Sequence, residues 1–278
     1  MASFDINTTG DNVLKHFSKY VEGKTFGITG PSENGIGAES AITLHLQTPR
    51  KSFLSVELKV NPGVEVSFVE IDLLNNKNVR QAAEKINTLT DKIHVLINNA
   101  GMMAVKHYAT SIDGVEAQFA ANYLGHFLLT NLLVKEIVAA AGEGARIVDV
   151  GSLGYQLGET SIEDINFKDG EIYDPWVAYG QAKTAMILFN LALDKGLKQK
   201  AITPLICHPG VTLESKLLVN PSVDNESFAD AYVLAIKRNG NPLPLQNMVT
   251  LKRAAEEVLF TALNPSLTEA APAFIVEN

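Results

Sequence analysis

Lys24-Thr-Phe-Gly-Ile-Thr-Gly-Pro-Ser-Glu-Asn-Gly-Ile-Gly37 opens as a short apolar run, turns through glycines, and leads into Ala38, Ala41, Ile42 and Leu44 at helical spacing. It reads as strand, glycine-rich turn, helix. Glycines at such a turn let the backbone approach a pyrophosphate, whose charge then meets the unpaired N–H groups of a helix N-terminus. A single turn of this kind is moderate evidence for a nucleotide, because tight glycine turns also occur without a ligand.

Outward from that stretch the same alternation repeats. Val64 to Asp72 reads as a buried strand, and Val79, Ala82, Ala83 and Ile86 as the apolar face of a helix. His94-Val-Leu-Ile97 is a short strand that runs into Asn98-Asn99-Ala100-Gly101, a small amide-rich segment able to approach a ligand closely. Gly114 to Val138 carries Phe119, Tyr123, Phe127, Leu128 and Leu132 at helical intervals, with Asn122 and His126 in apolar company. A buried mid-helix Asn needs a partner or a purpose. Arg146-Ile-Val-Asp-Val-Gly-Ser152, Thr203-Pro-Leu-Ile-Cys-His-Pro-Gly210 and Ala273-Phe-Ile-Val276 give further strands. Strand and helix alternate with short connections, which predicts one doubly wound parallel sheet of the α/β class. Residues 24–278 are expected to form that single domain. Residues 1–23, with Val13, Leu14, Phe17, Tyr20 and Val21 on one stripe, are expected to form a helical extension packed on it. The Pro- and Asn-rich region from Val219 to Gln246, within a segment around 212–247, suits a substrate lid better than a sheet element.

Composition narrows the function classes. A chain of 278 residues with 46% apolar content can bury a full core. Its net charge of -8 and the lack of a Lys/Arg cluster argue against nucleic acid as a partner. Cys207 is the single cysteine, so there is no intrachain disulfide framework, and its neighbours Leu205 and Ile206 mark it as an inert core thiol. The six His residues lack ligand spacing, so no metal is expected, and Ser152 is outside a Gly-x-Ser-x-Gly elbow. With no membrane-length apolar run and no signal-peptide pattern, the expectation is a soluble cytoplasmic protein.

The chemistry is concentrated in Trp176-Val-Ala-Tyr-Gly-Gln-Ala-Lys183. Tyr179 and Lys183 share one face of a helix. An ammonium about 4 Å from a phenol, at an effective dielectric of about 20, favours the phenolate by about 4 kcal/mol. That would bring a tyrosine from about 10 toward about 7, where it can exchange a proton with a carbonyl or an alcohol. The spacing alone is weak, since a Tyr and a Lys four apart also arise by chance.

Taken together, Thr29-Gly30 with Gly35-Ile36-Gly37, Asp72-Leu73, Asn98-Asn99-Ala100-Gly101, Asn122, Ser152, Tyr179 with Lys183, and Pro209-Gly210 stand in the order of the short-chain dehydrogenase/reductase family. The stretches Asn122-Tyr-Leu-Gly-His-Phe-Leu-Leu-Thr-Asn-Leu-Leu133 and Trp176 to Lys183 resemble its retinol-dehydrogenase-like branch, close to protochlorophyllide-reductase-like members. The resemblance covers roughly residues 24 to 215. It implies a Rossmann-like fold and hydride transfer between a nicotinamide and a carbonyl or secondary alcohol of an apolar small molecule. It implies that Tyr179 is the proton donor in reduction, that Lys183 lowers its pKa and holds the nicotinamide ribose, and that Ser152 bonds the substrate oxygen. Asn122 would hold a water linking Lys183 to solvent. Asp72 and Leu73 would lie at the adenine, Asn99 with Ala100 and Gly101 at the ribose. Gly30, Gly35, Ile36 and Gly37, with Pro209, Gly210 and Val211, would flank the dinucleotide. Ser215 stands where relatives often place Thr near the carboxamide, and His208 is expected to shape the pocket rim. A homodimer through helices at 116–138 and 179–194 is also implied.

Two features depart from the resemblance. Pro31-Ser-Glu-Asn34 puts four residues between the first glycines where three are usual, so the turn must bulge. Between Gly37 and Asp72 there is too little chain for the usual strand and helix. Lys51 to Asn61 fits a 3.6-residue period through Phe53, Leu54, Val56 and Leu58 better than it alternates, so it is expected to be helical. The second strand would then be missing or shortened, leaving an open sheet edge. Arg50 and Lys51 are the local cations and favour NADP over NAD. The rival to an NAD(P)-dependent oxidoreductase is a non-catalytic binding or scaffold protein with a degenerate nucleotide site.

Overall fold

Thr25–Ile28, buried along its whole length, is the central strand β1 of a computed structural model that describes residues 16–45, 51–54, 65–217, 223–244 and 248–276. The described residues form a seven-stranded sheet with β2 Lys51–Leu54, β3 Glu65–Phe68, β4 Val95–Asn98, β5 Arg146–Val150, β6 Thr203–His208 and β7 Phe274–Val276. Its order is β3-β2-β1-β4-β5-β6-β7, and every pair is parallel. The chain winds outward from β1, then returns to β4 and winds the other way. That reversal opens a crevice at the C-terminal ends of β1 and β4, where open α/β sheets take ligands. The pairing of Ile28 with Ile97 brings Thr29-Gly30 beside Asn99-Ala100 across it.

The helices carry their own start signals. After α1 Ile36–His45, helix α2 Asn76–Leu89 is capped by Asn75, whose side chain accepts from the Lys77 and Asn78 amides, and buries Val79, Ala82, Ala83 and Ile86. Helices α3 Gly125–Leu132 and α4 Val134–Ala139 follow. Helix α5 Pro175–Leu197 starts on Asp174, which accepts from the Trp176 and Val177 amides with proline in the first turn. Helix α6 Asn225–Asn239 ends on Gly240 at φ 74°, and α7 Leu251–Leu263 is capped by Thr250. Strand alternation divides the core between two faces. Val95, Ile97, Val148 and Val150 pack with Ala41 and Leu44 of α1 and Val258 and Leu259 of α7. Leu96 and Ile147 face the other way, onto α2 and α3. Phe17 and Val21 join the first face, Phe17 meeting Phe260 with ring centroids 6.2 Å apart. Val13 and Leu14 lie outside the described residues.

Three expectations are corrected. Lys51–Leu54 is a strand, not the tail of a helix: it pairs on one side with β1 and on the other with β3. Four residues of ambiguous periodicity take the conformation that satisfies their backbone groups on both sides. The second strand is thus present though short, and β3 rather than β1 forms the edge; residues 55–61 of the expected helix lie outside the described residues. Because it is an edge, Glu65–Phe68 is exposed or half-buried rather than buried, and it ends before Asp72. The long helix read over Gly114 to Val138 is broken, with a wide π turn at Ala120–Leu124 leading into α3. Within the 212–247 segment, α6 packs Ala231 and Ala235 against Leu157, Trp176 and Tyr179.

The N-terminal edge of the sheet is tied by one carboxylate. His94 Nδ1 accepts from the Thr25 amide at 3.0 Å, which leaves its Nε2–H to donate to Glu143 Oε2 at 2.9 Å, and Lys92 Nζ reaches Glu143 Oε1 at 2.5 Å. The Lys92 and His94 contacts hold the Glu143 carboxyl down to about 2. A depressed folded-state pKa adds stability that is present above the ordinary carboxylate range and lost as pH falls through it toward about 2. The melting temperature of Glu143→Gln should therefore lie below that of the parent at pH 6 and converge on it by pH 2. Parallel curves across that window would remove Glu143 as the source.

Candidate active site

The glycine turn after β1 absorbs its extra residue locally. The Gly35 amide closes on Ser32 O at 2.9 Å, and Asn34 takes φ 56°, a left-handed conformation that Asn tolerates. Lys216 N reaches across to Asn34 O at 3.2 Å. Gly30 sits at φ 64°, and a Cβ there would lie 2.7 Å from Ala100 Cβ; at Gly37 it would lie 2.5 Å from Asn99 Nδ2. The two loops thus pack too closely for a side chain at either glycine. The Thr29 hydroxyl is their joint: its Oγ1 accepts from the Asn99 amide at 2.9 Å and the Ala100 amide at 3.0 Å. With both lone pairs used, its hydrogen goes to His126 Nε2 at 2.9 Å, and His126 Nδ1–H then donates to Asn122 O at 3.1 Å. Burial drives His126 down to about 4, so it stays in that neutral form.

Asn122, in the π turn, spends its side chain on one neighbour. Oδ1 accepts from the Met102 amide at 2.7 Å and Nδ2 donates to Met102 O at 2.9 Å, which pins the chain just beyond Gly101. Ser152 follows β5 by two residues, and its Oγ accepts from the Gly154 amide at 3.0 Å. Lys183 Nζ donates to Val150 O at 2.8 Å and lies 5.7 Å from the centre of the Tyr179 ring. Trp176 meets Tyr179 edge-on at 6.1 Å and donates its indole N–H to Ser227 O at 2.8 Å, joining α5 to α6.

Electrostatics correct the sequence expectation for the pair. Burial pushes the Tyr179 phenol up to about 12, partly offset by the Ser152 hydrogen bond, and burial brings the Lys183 ammonium down to about 8. The ammonium is seated on a backbone carbonyl, so desolvation outweighs its pull on the phenol.

These groups line a cavity of about 670 Å³. One end is formed by Gly30, Gly35 and Ile36 at the start of α1, Asn99, Ala100 and Gly101 after β4, and Pro209, Gly210 and Val211 after β6. Ser152, Tyr179 and Lys183 stand on its wall, together with His208 and Ser215. The other end is apolar, with Met103, Leu157, Trp176, Phe228 and Leu243 packed in one cluster. Of the sequence-predicted residues, Gly37 and Asn122 sit behind this surface and shape it. Asp72 and Leu73 do not line it: Asp72 is an exposed turn residue whose Oδ1 accepts from the Leu74 amide at 2.9 Å, and Leu73 is buried against Gly125. Lys51 begins β2, at the N-terminal end of a parallel strand whereas the cavity lies at the C-terminal ends, and Arg50 lies outside the described residues. The charge argument for NADP therefore loses its position. The cradle at Gly30 and Gly37, where side chains would collide, and the free amides opening α1 fit the pyrophosphate of a dinucleotide. Among the described residues no group of His, Cys, Asp and Glu could hold a metal, and no helix is long and apolar enough to cross a membrane. Thr29, Trp176 and Phe228 were not read from the sequence as site residues. Thr29 adjoins the first glycine and was legible as a candidate; Phe228 comes from a segment whose docking only the fold reveals.

The short chain dehydrogenase family model matches residues 24–163. Oxidoreductase fscI of Fusarium equiseti is 31% identical over 244 residues, covering 74% of this chain and 94% of that protein. Retinol dehydrogenase 13 of Mus musculus is 32% identical over 222 residues, 75% of this chain but 64% of the relative, so the chain spans less than two thirds of that protein. A short-chain type dehydrogenase/reductase from Mycobacterium marinum shares the fold at TM-score 0.67 and 19% identity, with 96% of this chain and 97% of the other covered. NADH-dependent reductase A1-R', solved with NAD, does so at TM-score 0.65 and 17% identity, covering 94% and 97%.

Proposed function

This chain belongs to the short-chain dehydrogenase/reductase family and is an NAD(P)-dependent oxidoreductase of that type, and we propose that Tyr179, Ser152 and Lys183 carry its reaction on a ketone, aldehyde or secondary alcohol with an apolar body. The observation that carries this reading is the shared cavity: phenol, hydroxyl and ammonium stand on one wall between a glycine cradle and an apolar end. A nicotinamide held at the Gly30 and Asn99 end of the cavity would supply or accept the hydride. In reduction the Tyr179 hydroxyl gives its proton to the substrate oxygen while the Ser152 hydroxyl hydrogen-bonds that oxygen, and the Lys183 charge offsets the phenolate left behind. Asn122 acts through Met102, fixing the loop that carries Gly101; with both ends of its amide engaged, a water-holding role falls to its carbonyl, shared with His126. The apolar end suits a substrate without a carboxylate or phosphate.

NADP is the finer reading of the cofactor; it rests on sequence charge alone, since Lys51 stands away from the cavity. Residues 24–278 act as one nicotinamide-binding unit with 212–247 as its substrate cover and 1–23 as an extension, in a cytoplasmic protein. Exposed Phe127, Leu188 and Leu191 on α3 and α5 support a homodimer through those helices. The scaffold alternative drew its force from a missing second strand, and β2 removes that ground.

Titration of the purified protein with NADPH and with NADH tests the cofactor. At about 100 times its dissociation constant the bound form should gain about 2.7 kcal/mol, read as a rise in melting temperature. Tighter NADPH binding is the expected result, tighter NADH binding overturns the NADP reading, and a folded protein that binds neither overturns the oxidoreductase.

A further inference from the structure

Beneath the cavity, between β5 and α5, lies a carboxylate that the proposed reaction does not use. Asp149 is fully buried in the middle of β5. Its Oδ1 accepts from Asn98 Nδ2 at 2.8 Å and its Oδ2 from Asn190 Nδ2 at 2.8 Å. Both amides spend their second hydrogen elsewhere, on Thr130 Oγ1 at 3.1 Å and on Leu205 O at 2.9 Å. A buried carboxylate held by neutral donors is costly to keep ionised unless a positive charge compensates it.

The fold puts such a charge in the same layer. Val148 and Val150 face the α1–α7 side and Ile147 the other, so alternation turns Asp149 toward α3 and α5. Lys183 and Asn190, two turns apart on α5, both point at β5. Asn190 holds the carboxylate, and Lys183 Nζ holds the carbonyl of Val150, the next residue along the strand. The other titratable groups near this pair are His126 of α3, neutral, the Tyr179 phenol of α5, and the Cys207 thiol of β6, pushed up by burial and by Glu257 of α7. At the β5–α5 interface Asp149 and Lys183 thus meet as an acid and a base in one layer.

We propose that Asp149 is a positioning residue of the active site: across the β5–α5 interface its carboxylate keeps the Lys183 ammonium charged and seated at the strand end beside Tyr179. This rests on the roles proposed above for Lys183 and Tyr179. Burial lowers Lys183 to about 8 while Asp149 works against it, and burial raises Asp149 to about 6 while Asn190, Asn98 and Lys183 work against that. The ammonium at the foot of the cavity is thus maintained by a residue that touches neither cofactor nor substrate.

Asp149→Asn tests the idea with little change of shape. Asn98 Oδ1 has no hydrogen-bond partner among the described residues, so a flip of the Asn98 amide can accept from the new side chain and from the Thr130 hydroxyl. The measurement is the NMR titration of the Lys183 side chain in lysine-labelled protein, assigned with Lys183→Arg, alongside the pH profile of kcat/KM for reduction. In the variant the Lys183 midpoint should fall by about one pH unit, and the alkaline limb of the profile should move down with it. An unchanged midpoint in the folded variant overturns the proposal. Should the variant not fold, the parent protein still decides. Its Lys183 signals should step between pH 5 and 7 as Asp149 takes up a proton, and signals indifferent to that range overturn the coupling. A shifted midpoint in a protein with no turnover defeats the oxidoreductase reading and leaves the coupling standing.

Discussion

Tyr179→Phe is expected to lower kcat/KM in both directions by about 10²- to 10⁴-fold, the range of a positioned proton donor. The ring stays packed between Trp176 and the Gly154 segment, where a Gly154 Cβ would lie 2.6 Å from Tyr179 Cε1, so the substitution leaves the shape of the wall intact. Ser152 Oγ keeps the Gly154 amide as a partner at 3.0 Å. The melting temperature and the dissociation constant for the nicotinamide should therefore change little. A variant that keeps most of its turnover would take Tyr179 out of proton transfer, and one that loses cofactor binding in parallel would make its role structural.

Gly180→Ala should be the most damaging small substitution on α5. A Cβ at Gly180 would lie 2.2 Å from Gly158 N, 2.7 Å from Leu157 C and 2.9 Å from Gly154 O, all backbone atoms that cannot rotate away. The helix and the segment 153–158 touch main chain to main chain, and Thr184 Oγ1 holds the contact against Gly158 O at 2.7 Å. An added methyl must push the segment off the helix, and Ser152 caps that segment, so its placement beside Tyr179 goes with it. The cost should be on the order of 3 kcal/mol, exceeding the roughly 1 kcal/mol that Ala gains over Gly in helix propensity. Both melting temperature and turnover should fall. Gly196→Ala on the same helix is the control: nothing lies within 4 Å of its Cβ, so it should stabilise. Equal responses at the two positions would show that the Gly158–Gly180 contact does not set the alignment.

Much of this site was legible in the sequence because its residues are short-range devices. The glycines before α1, the amides after β4 and the four-residue step from Tyr179 to Lys183 each specify local geometry, and the structure gathers Gly30, Asn99, Ser152, Tyr179 and Lys183 on one cavity. Asp72 and Leu73 fell outside it because a turn after an edge strand is placed by its neighbours, not by its own residues. Asp149 was visible as a lone acid in the apolar strand Arg146–Val150, yet its meaning depends on Asn98 and Asn190 arriving from β4 and α5.

The sequence by itself determined the class of fold, a doubly wound parallel sheet, and marked the candidate reacting groups, since periodicity and turn chemistry act over a few residues. Tertiary structure alone decided that Lys51–Leu54 is a strand, because two parallel neighbours satisfy its backbone where its own periodicity was ambiguous. It alone decided the electrostatics of Tyr179 and Lys183 as well: the pull between two charges on one helix is local, but the desolvation that outweighs it comes from every element packed around them.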